Sequence, residues 1–271
     1  MKDEKVDRVW RWEKVNGGAY LVCSLLSPWQ HGFFTKDFSP ATPEELTSIL
    51  QADTKAYRVK QVHGDRILTP QEIDKAIATQ NLIRDFPEAD AVMSDRPNQS
   101  VWVKSADCTP ILIGDRVTGR VCAIHAGWRG TSQTIAKGAI AYFVESGSKL
   151  ENIAVAVGPA IAGKVYQVDD SVAIKVGKTI IADAENKSDS EILLELQQLP
   201  NSPILDDELP GKVRLDVPRV NQIQLEQLNI DPAQIAIARD FCTYQQRDRF
   251  FSYRRTGEKK VQWSGIISSN I

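Results

Sequence analysis

The chain has 271 residues, with 33 Lys and Arg against 35 Asp and Glu, so its formal net charge is −2. This balance argues against a general nucleic-acid binder, which needs a basic surface. No uncharged apolar run approaches the roughly 18 residues of a membrane span, and the first residues lack the apolar stretch of a secretory signal. We therefore expect a cytoplasmic protein with one domain over residues 1–271 and no membrane or nucleic-acid partner.

The first hundred residues predict short strands and one helix. The segments GGAYLVCSLL and HGFFT are typical of strands, and PEELTSILQ predicts a helix that Thr42 caps ahead of Glu44 and Glu45. In KAYRVKQVHG, apolar residues alternate with charged ones, which predicts a strand. ADAVMS and SVWVKSAD indicate two more short strands.

The middle of the chain predicts a pair of strands and a helix. The runs TPILIGD and RVCAIHAG flank a turn at Asp115–Gly119, which indicates a hairpin or an adjacent strand pair. GTSQTIAKGAIAYFVESG predicts one helix, with Thr131 or Ser132 as its N-cap and Gly147 as its stop. NIAVAVGPAI then predicts a buried strand.

The last hundred residues mix both types of element. VDDSVAIKVGKTIIAD and the amphipathic LDVPRVNQIQLEQLNI predict helices, QIAIARD predicts a strand, and FFSYRR and VQWSGIIS close the chain. Residues 184–212 are acidic and weakly periodic and hold three prolines, so we interpret them as a surface excursion. Because strands and helices do not alternate strictly, the pattern favours a mixed α/β or α+β fold.

Three residues could hold a metal ion. His63, Cys108 and His125 each lie at the end of a strand-like run, where ligand groups tend to sit. Two imidazoles and a thiolate suit zinc, and three ligands with an open fourth position is the catalytic pattern. The spacing alone equally allows a buried cysteine and two hydrogen-bonded histidines.

Other candidate ligands are less suitable. Cys122 lies three residues from His125 on the same predicted strand, and this odd spacing puts their side chains on opposite faces. His31 is expected to cap a turn, although the fold could bring it to the site. With no CxxC pair, the four cysteines are expected to be free thiols.

The segment HAGWRGT predicts a loop that enters a helix N-terminus, where backbone N–H groups and Arg129 could bind phosphate or a carboxylate. The glycines could equally serve only the turn. The Asp107 carboxylate could accept a hydrogen bond from one of the histidines and so orient its ring for the metal, or it could only accept bonds from nearby backbone N–H groups. Alternation in FFSYRR would send one of Arg254 and Arg255 inward and the other to solvent.

Five segments together, QVHGD, SADCTPILI, HAGWRGT, GPAI and FFSYRR, resemble the YfiH/laccase-domain family, also called multicopper polyphenol oxidoreductases. The resemblance implies one layered α/β domain. It also implies zinc held by His63, Cys108 and His125 as the catalytic centre, with inorganic phosphate as co-substrate. The implied activity is phosphorolysis of adenosine, inosine, guanosine and methylthioadenosine, together with adenosine deamination. Substrate or phosphate would contact Lys36, Gln61, Arg129 and Arg254.

The chain departs from the family pattern at two places. The family commonly has FTR followed by a Gly-Gly turn and a Ser-Leu-Asn segment, whereas this chain has FFTKDFSPATPEEL, so Lys36 replaces an arginine and its forked donor. A family Cys-Tyr is Val165–Tyr166 here. These changes bear on substrate range and phosphate handling.

Three alternatives to a zinc phosphorylase are considered. A four-copper laccase needs far more imidazoles than the three histidines of this chain, although copper could replace zinc at one site. A metal-free hydrolase or deamidase could use Cys108 as nucleophile, with His125 or His63 as base and Asp107 as orienting group. A binding domain could hold structural zinc. The HxE and PCxxC signature of zinc deaminases is absent from the sequence.

We expect the protein to be a monomer or a small homo-oligomer.

Overall fold

The computed structural model describes residues 9–15, 17–80 and 86–270, which form fifteen strands and eight α-helices. The strands are β1 (Trp10–Val15), β2 (Gly18–Cys23), β3 (His31–Phe34), β4 (Lys55–Tyr57), β5 (Ile67–Leu68), β6 (Ala91–Met93), β7 (Gln99–Ser105), β8 (Thr109–Asp115), β9 (Val121–Ala126), β10 (Ile153–Val157), β11 (Gln167–Asp169), β12 (Ile204–Asp206), β13 (Lys212–Leu215), β14 (Ile235–Ile237) and β15 (Gln262–Ile267). The helices are α1 (Pro43–Leu50), α2 (Pro70–Gln80), α3 (Trp128–Ser132), α4 (Ile135–Glu145), α5 (Asp170–Gly177), α6 (Asp189–Gln198), α7 (Val217–Glu226) and α8 (Tyr253–Thr256). The predicted mixed α/β class is confirmed.

The strands form three sheets. The outer sheet has the order β1-β2-β3-β15-β7-β4, the central sheet β14-β10-β8-β9-β6-β5, and the small sheet β11-β13-β12. Most neighbouring pairs are antiparallel; the parallel pairs are β4 with β7, β5 with β6 and β10 with β14. Helices and loops between these strands therefore bring distant parts of the sequence together.

The outer and central sheets face each other across one apolar core. Phe33 of the outer sheet and Leu112 of the central sheet belong to the same buried cluster. On the far side of the central sheet, Ile111 packs with Phe143 of α4 and Leu225 of α7. Since both faces of the central sheet are covered, β8 and β9 are buried along their whole length, which explains their continuous apolar runs.

Several predicted elements are confirmed. TPILIGD and RVCAIHAG form the antiparallel pair β8–β9. Thr42 caps α1 in a reciprocal capping box with Glu45. The strand predicted in KAYRVKQVHG is shorter than expected, because only Lys55–Tyr57 pair with β7; after them, Lys60 makes an isolated bridge to Glu88 before the chain turns toward His63.

The single helix predicted after HAGW is wrong in detail. The chain forms α3 and α4, separated at Thr134, whose φ of 58° is left-handed. Gly127, rather than Thr131 or Ser132, occupies the N-cap of α3, so the helix begins closer to His125 than predicted. The FFSYRR segment is also different, since Tyr253–Thr256 form a helical turn capped by Ser252 and not a strand.

Residues 184–212 are more than a surface excursion. Ser188 and Glu191 form a capping box that starts α6, whose Ile192 and Leu196 are buried in a third apolar cluster. Trp128, directly after the HAG turn, packs against that cluster. The segment therefore supports one wall beside His125. Within the described residues, no helix is long and apolar enough to cross a membrane.

Candidate metal centre

Three separate parts of the fold bring His63, Cys108 and His125 together. His63 lies in the loop after β4, Cys108 in the turn between β7 and β8, and His125 on β9. Their ligand atoms all lie within 4.8 Å of one another. The imidazole rings of the two histidines meet edge to face, with 4.8 Å between their centroids.

The register of β8 and β9 places Cys108 opposite a glycine at the edge of the ligand cluster. Thr109 pairs with Ala126, so Cys108 and Gly127, the next residues outward, are opposite each other. A Cβ on Gly127 would lie 2.9 Å from the Cys108 sulfur and 3.3 Å from Cδ2 of His63. The absence of a side chain at Gly127 therefore leaves the room that the ligand cluster occupies.

A buried carboxylate that the sequence analysis missed organises both histidines. Asp90 is fully buried, and its Oδ1 accepts a 2.8 Å hydrogen bond from Nδ1 of His125. The same carboxylate accepts the backbone N–H groups of Val62, His63 and Gly64 at 3.1, 3.0 and 2.7 Å. Asp90 thus fixes the His125 tautomer, which leaves Nε2 as the ligand atom, and it holds the His63 turn.

The His63 turn is also held from the helix side. His63 has a φ of 63°, in the left-handed region that a residue with a side chain rarely adopts. Nε2 of Gln133 donates to the His63 carbonyl at 3.3 Å, and a Cβ on Gly130 would come within 2.9 Å of the Gly64 carbonyl. The close packing of α3 against the backbone of His63 and Gly64 therefore stabilises the left-handed conformation of His63.

The electrostatics of the cluster favour a thiolate. Burial raises the pKa of Cys108, but hydrogen bonds and the positive charges of His125 and His63 outweigh it, and the net pKa is lowered. Burial lowers the pKa of His125, but Asp90 and Cys108 outweigh that effect and raise it. Deprotonated sulfur is the form that binds metal ions or attacks an electrophile.

The residues present fit a zinc or copper ion. A thiolate and two imidazoles are a suitable donor set, and an acidic group supports the buried imidazole from behind. Exposure increases from buried His125 through Cys108 to exposed His63, so the cluster opens to solvent on the His63 side. Within the described residues, this is the one group of three such side chains close enough to share an ion.

His31 and Cys122 lie outside this cluster. Nε2 of His31 accepts the Cys23 N–H at 2.8 Å and its Nδ1 donates to the Trp29 carbonyl at 2.9 Å, so His31 spans a turn as predicted. Cys122 is buried in the core between the central sheet and α4, and burial raises its pKa. The prediction that it faces away from His125 is confirmed.

Asp107 does not orient a histidine. Among the described residues, the hydrogen bonds of its carboxylate go to the hydroxyls of Thr243 and Ser252 and to the backbone N–H of Arg254. The role predicted for Asp107 belongs to Asp90, which precedes β6. The sequence signal was an acid at the start of the predicted strand ADAVMS, but its partners are 26 to 35 residues away along the chain.

The four predicted substrate contacts divide into two pairs. Arg129 is exposed on α3 with its guanidinium 4.3 Å from the Trp128 ring centroid, and Arg254 lies 4.7 Å from the Tyr166 ring centroid. In contrast, Nζ of Lys36 donates to the Arg247 carbonyl, and the Gln61 amide makes two 2.8 Å bonds to the backbone of Lys104.

Tyr166 is a neighbour of the centre that the sequence analysis did not include. Burial, and after it the charge of Cys108, raises the pKa of Tyr166 to about 12. The charges of Arg254 and Arg129 act on the same phenol in the opposite direction. Both arginines and Cys108 are therefore within electrostatic reach of one side chain, which remains a neutral phenol near pH 7.

This chain is similar in sequence and in fold to several known proteins. The family model described as multi-copper polyphenol oxidoreductase laccase matches residues 41–269. A purine nucleoside phosphorylase of Synechocystis is 50% identical over 262 residues, which cover 97% of this chain and 98% of that protein. Adenosine deaminase RL5, from an unknown prokaryotic organism, is 26% identical over 73% of this chain and 69% of its own length. The crystal structure of the Bacillus licheniformis hypothetical protein YfiH has a TM-score of 0.75 at 25% identity and covers 93% of this chain and 96% of that one.

Proposed function

The chain belongs to the multi-copper polyphenol oxidoreductase laccase family, and on that premise we propose that it is a zinc-dependent purine nucleoside phosphorylase that also deaminates adenosine. The proposed substrates are adenosine, inosine, guanosine and methylthioadenosine, with inorganic phosphate as co-substrate. The observation that carries the proposal is that the ligand atoms of His63, Cys108 and His125 lie within 4.8 Å of one another. The sequence of the chain is 50% identical to that of a purine nucleoside phosphorylase.

The chain's own residues divide the work as follows. His63, Cys108 and His125 hold the ion, and Asp90 keeps His125 in the tautomer that presents Nε2. Bound zinc would supply Lewis-acid polarisation and activation of water. Because His125 is buried while His63 is exposed, a nucleoside would approach from the His63 side.

Phosphate is assigned to Arg129 and Arg254. Arginine presents a planar fork that matches phosphate oxygens, and the charges of both residues act on Tyr166 beside Cys108. Nζ of Lys36 and both amide atoms of Gln61 are engaged with backbone groups, so these two residues would shape the surrounding loops before they contact an anion. Arg254 also donates through Nη1 to the Gln167 carbonyl, so its Nη2 and Nε are the nitrogens assigned to phosphate. Tyr166, as a neutral phenol, could donate a hydrogen bond to a purine nitrogen or a phosphate oxygen.

A metal assay together with a product assay tests this proposal. We expect about one zinc per chain and phosphate-dependent release of free base from at least one of the four nucleosides. His63→Ala, Cys108→Ala and His125→Ala should each lose zinc and activity, whereas Cys23→Ala, a buried thiol away from the cluster, should keep both. Zinc and turnover at wild-type levels in the three ligand variants would contradict the proposal.

A second candidate is supported by the lowered pKa of Cys108. In metal-free protein, His125 would take the proton of Cys108, so that the Cys108 thiolate is the nucleophile of a hydrolase or deamidase and the His125 imidazolium protonates the leaving group. Asp90 rather than Asp107 would be the orienting acid. Activity that survives a chelator and is abolished by alkylation of Cys108 would favour this candidate. Activity lost with the chelator and restored by Zn²⁺ would favour the phosphorylase.

Polyphenol oxidation can be tested on the same preparations. The chain has three histidines, and both ring nitrogens of His31 are engaged, so the imidazoles for a four-copper cluster are not there. A single copper at His63, Cys108 and His125 would be of the His₂Cys type. Copper-loaded protein assayed with a phenol shows whether this one site has oxidase activity.

A further inference from the structure

Asp107 directly precedes the ligand Cys108, and its buried carboxylate connects two distant parts of the chain. It accepts hydrogen bonds from Oγ1 of Thr243 at 2.7 Å, Oγ of Ser252 at 3.0 Å and the backbone N–H of Arg254 at 2.7 Å. These donors are more than 130 residues away in sequence. One carboxylate thus ties the Cys108 turn to the segment that carries Arg254.

The backbone of Asp107 is unusual as well. Its φ is 98°, in a region that L-residues rarely adopt, and such conformations persist only where the surroundings hold them. The Asp107 carbonyl accepts the Ile161 N–H at 3.0 Å, which adds a third attachment point beside the carboxylate and the strand β8. The direction of the Cys108 side chain therefore depends on the contacts that hold Asp107.

We propose that Asp107 is a positioning residue that holds the metal ligand Cys108 and the phosphate-binding Arg254 at a fixed spacing. The proposal rests on the proposed function for the role of Arg254. The carboxylate does not contact the substrate or the ion; it joins the two elements that do.

The side chain of Arg254 is itself held by contacts with two neighbouring residues. Arg254 donates through Nη1 to the Gln167 carbonyl at 2.8 Å and lies over the Tyr166 ring. Tyr166 in turn lies within electrostatic reach of Cys108. Contacts therefore run from Cys108 through its neighbour Asp107 to Arg254 and on to the ring of Tyr166.

The neighbouring Arg255 donates hydrogen bonds that connect separate parts of residues 243–255. Nη1 of Arg255 donates to the carbonyls of Thr243 and Tyr244 at 2.8 Å, and its Nη2 donates to the Phe250 carbonyl at 2.7 Å. Arg255 thus connects the two ends of residues 243–255, and the Asp107 carboxylate accepts from three groups of the same segment.

Asp107→Asn is the direct test. Asparagine tolerates positive φ and has the same size, but its neutral amide has one acceptor oxygen for three donors. Hydrogen bonds to a charged acceptor are strong, so we expect the KM for phosphate to rise by about 10- to 100-fold. Release of Zn²⁺ to a chelator should accelerate by at least about tenfold, and amide hydrogen exchange in residues 243–256 should increase.

Asp115→Asn is the matched control. Asp115 is also fully buried and lies at the other end of β8, where it accepts the N–H groups of Val117 and Thr118 in the β8–β9 turn. Its replacement should lower the melting temperature but leave zinc release and the KM for phosphate unchanged. Equal effects of the two variants on zinc release and KM would overturn the positioning role.

Two further variants make the outcome decisive. Adding Asp107→Asn to Arg254→Gln should raise the KM for phosphate little beyond either single change, because both act through the same guanidinium. Thr243→Val removes one of the three donors and leaves the Ser252 cap of α8 in place. It should accelerate zinc release about threefold, and it decides the matter if Asp107→Asn does not fold. Wild-type zinc release and KM in folded Asp107→Asn would refute the proposal.

The failure of the proposed function would look different. If the wild-type protein releases no base from any nucleoside, the phosphorylase assignment is wrong. Zinc release and hydrogen exchange in Asp107→Asn and Asp115→Asn still report whether Asp107 holds Cys108 and the Arg254 segment together.

Discussion

At the scale of single residues, the metal centre depends on a carboxylate that is not a ligand. Asp90 receives one hydrogen bond from His125 and three from the backbone around His63, so it acts on both imidazoles at once. A carboxylate behind a ligating histidine raises its basicity and fixes its orientation. We therefore expect Asp90 to support the candidate metal site although it is not one of the three ligand residues.

Asp90→Asn should weaken zinc binding by about 10- to 100-fold, the usual effect of removing such a supporting group. The amide carries an N–H₂ group that would face one of its present donors. Competition with a chromogenic chelator measures the dissociation constant, and Asp115→Asn again serves as a buried-carboxylate control. An unchanged dissociation constant in Asp90→Asn would mean that the His63 turn and His125 hold their geometry without it.

At the scale of elements, the entry into α3 decides how much room the ligands have. Gly127 has a φ of −68°, which any residue can adopt, so its substitution tests space and not backbone conformation. A Cβ there would press on the Cys108 sulfur at 2.9 Å. In the exposed part of α4, a Cβ on Gly138 would have Cδ1 of Ile67 as its nearest neighbour at 3.8 Å, an ordinary contact.

These two glycines give opposite predictions. Gly127→Ala should cost about 1–3 kcal/mol of local strain, seen as roughly 10- to 100-fold weaker zinc binding. Gly138→Ala should leave zinc binding unchanged and raise the free energy of unfolding by up to about 1 kcal/mol, because alanine favours a helix interior. Urea unfolding and chelator competition on both variants check this pair. Weaker zinc binding in Gly138→Ala would show that α4 transmits strain to the site.

At the scale of the whole molecule, His31 links folding to pH. Burial lowers its pKa from 6.5 to about 4. Between these values the unfolded chain binds a proton that the folded protein does not, so stability falls as the pH drops from about 6.5 toward 4. The full effect is about 3 kcal/mol.

The measurement is urea unfolding of metal-free protein at several pH values, in wild type and in His31→Asn, which does not titrate. The wild type should lose up to about 1.4 kcal/mol more stability per pH unit than the variant across this window. Metal-free samples avoid the separate effect of zinc loss in acid. Parallel pH profiles for the two proteins would mean that His31 has the same pKa in the folded protein as in the unfolded chain, and would contradict the prediction.

The sequence determined the elements whose signal is local. Thr42 and Glu45 form the predicted cap, and the runs on either side of Asp115–Gly119 form the predicted strand pair, because capping and hairpin pairing depend on residues close in the chain. The alternation of side chains along β9 also correctly predicted that Cys122 and His125 lie on opposite faces of the strand. The positions of His63, Cys108 and His125 at strand ends also made them a candidate metal site, although their spacing alone equally allowed a buried cysteine and two hydrogen-bonded histidines.

Only the tertiary structure decided which distant groups meet. Asp90 reaches His125 across adjacent strands of the central sheet, and Asp107 reaches Thr243, Ser252 and Arg254 across the fold. The break between α3 and α4 and the packing of residues 184–212 under Trp128 are decided in the same way. Sheet order and loop packing set these contacts, and no local pattern encodes the partner of a carboxylate more than a hundred residues away.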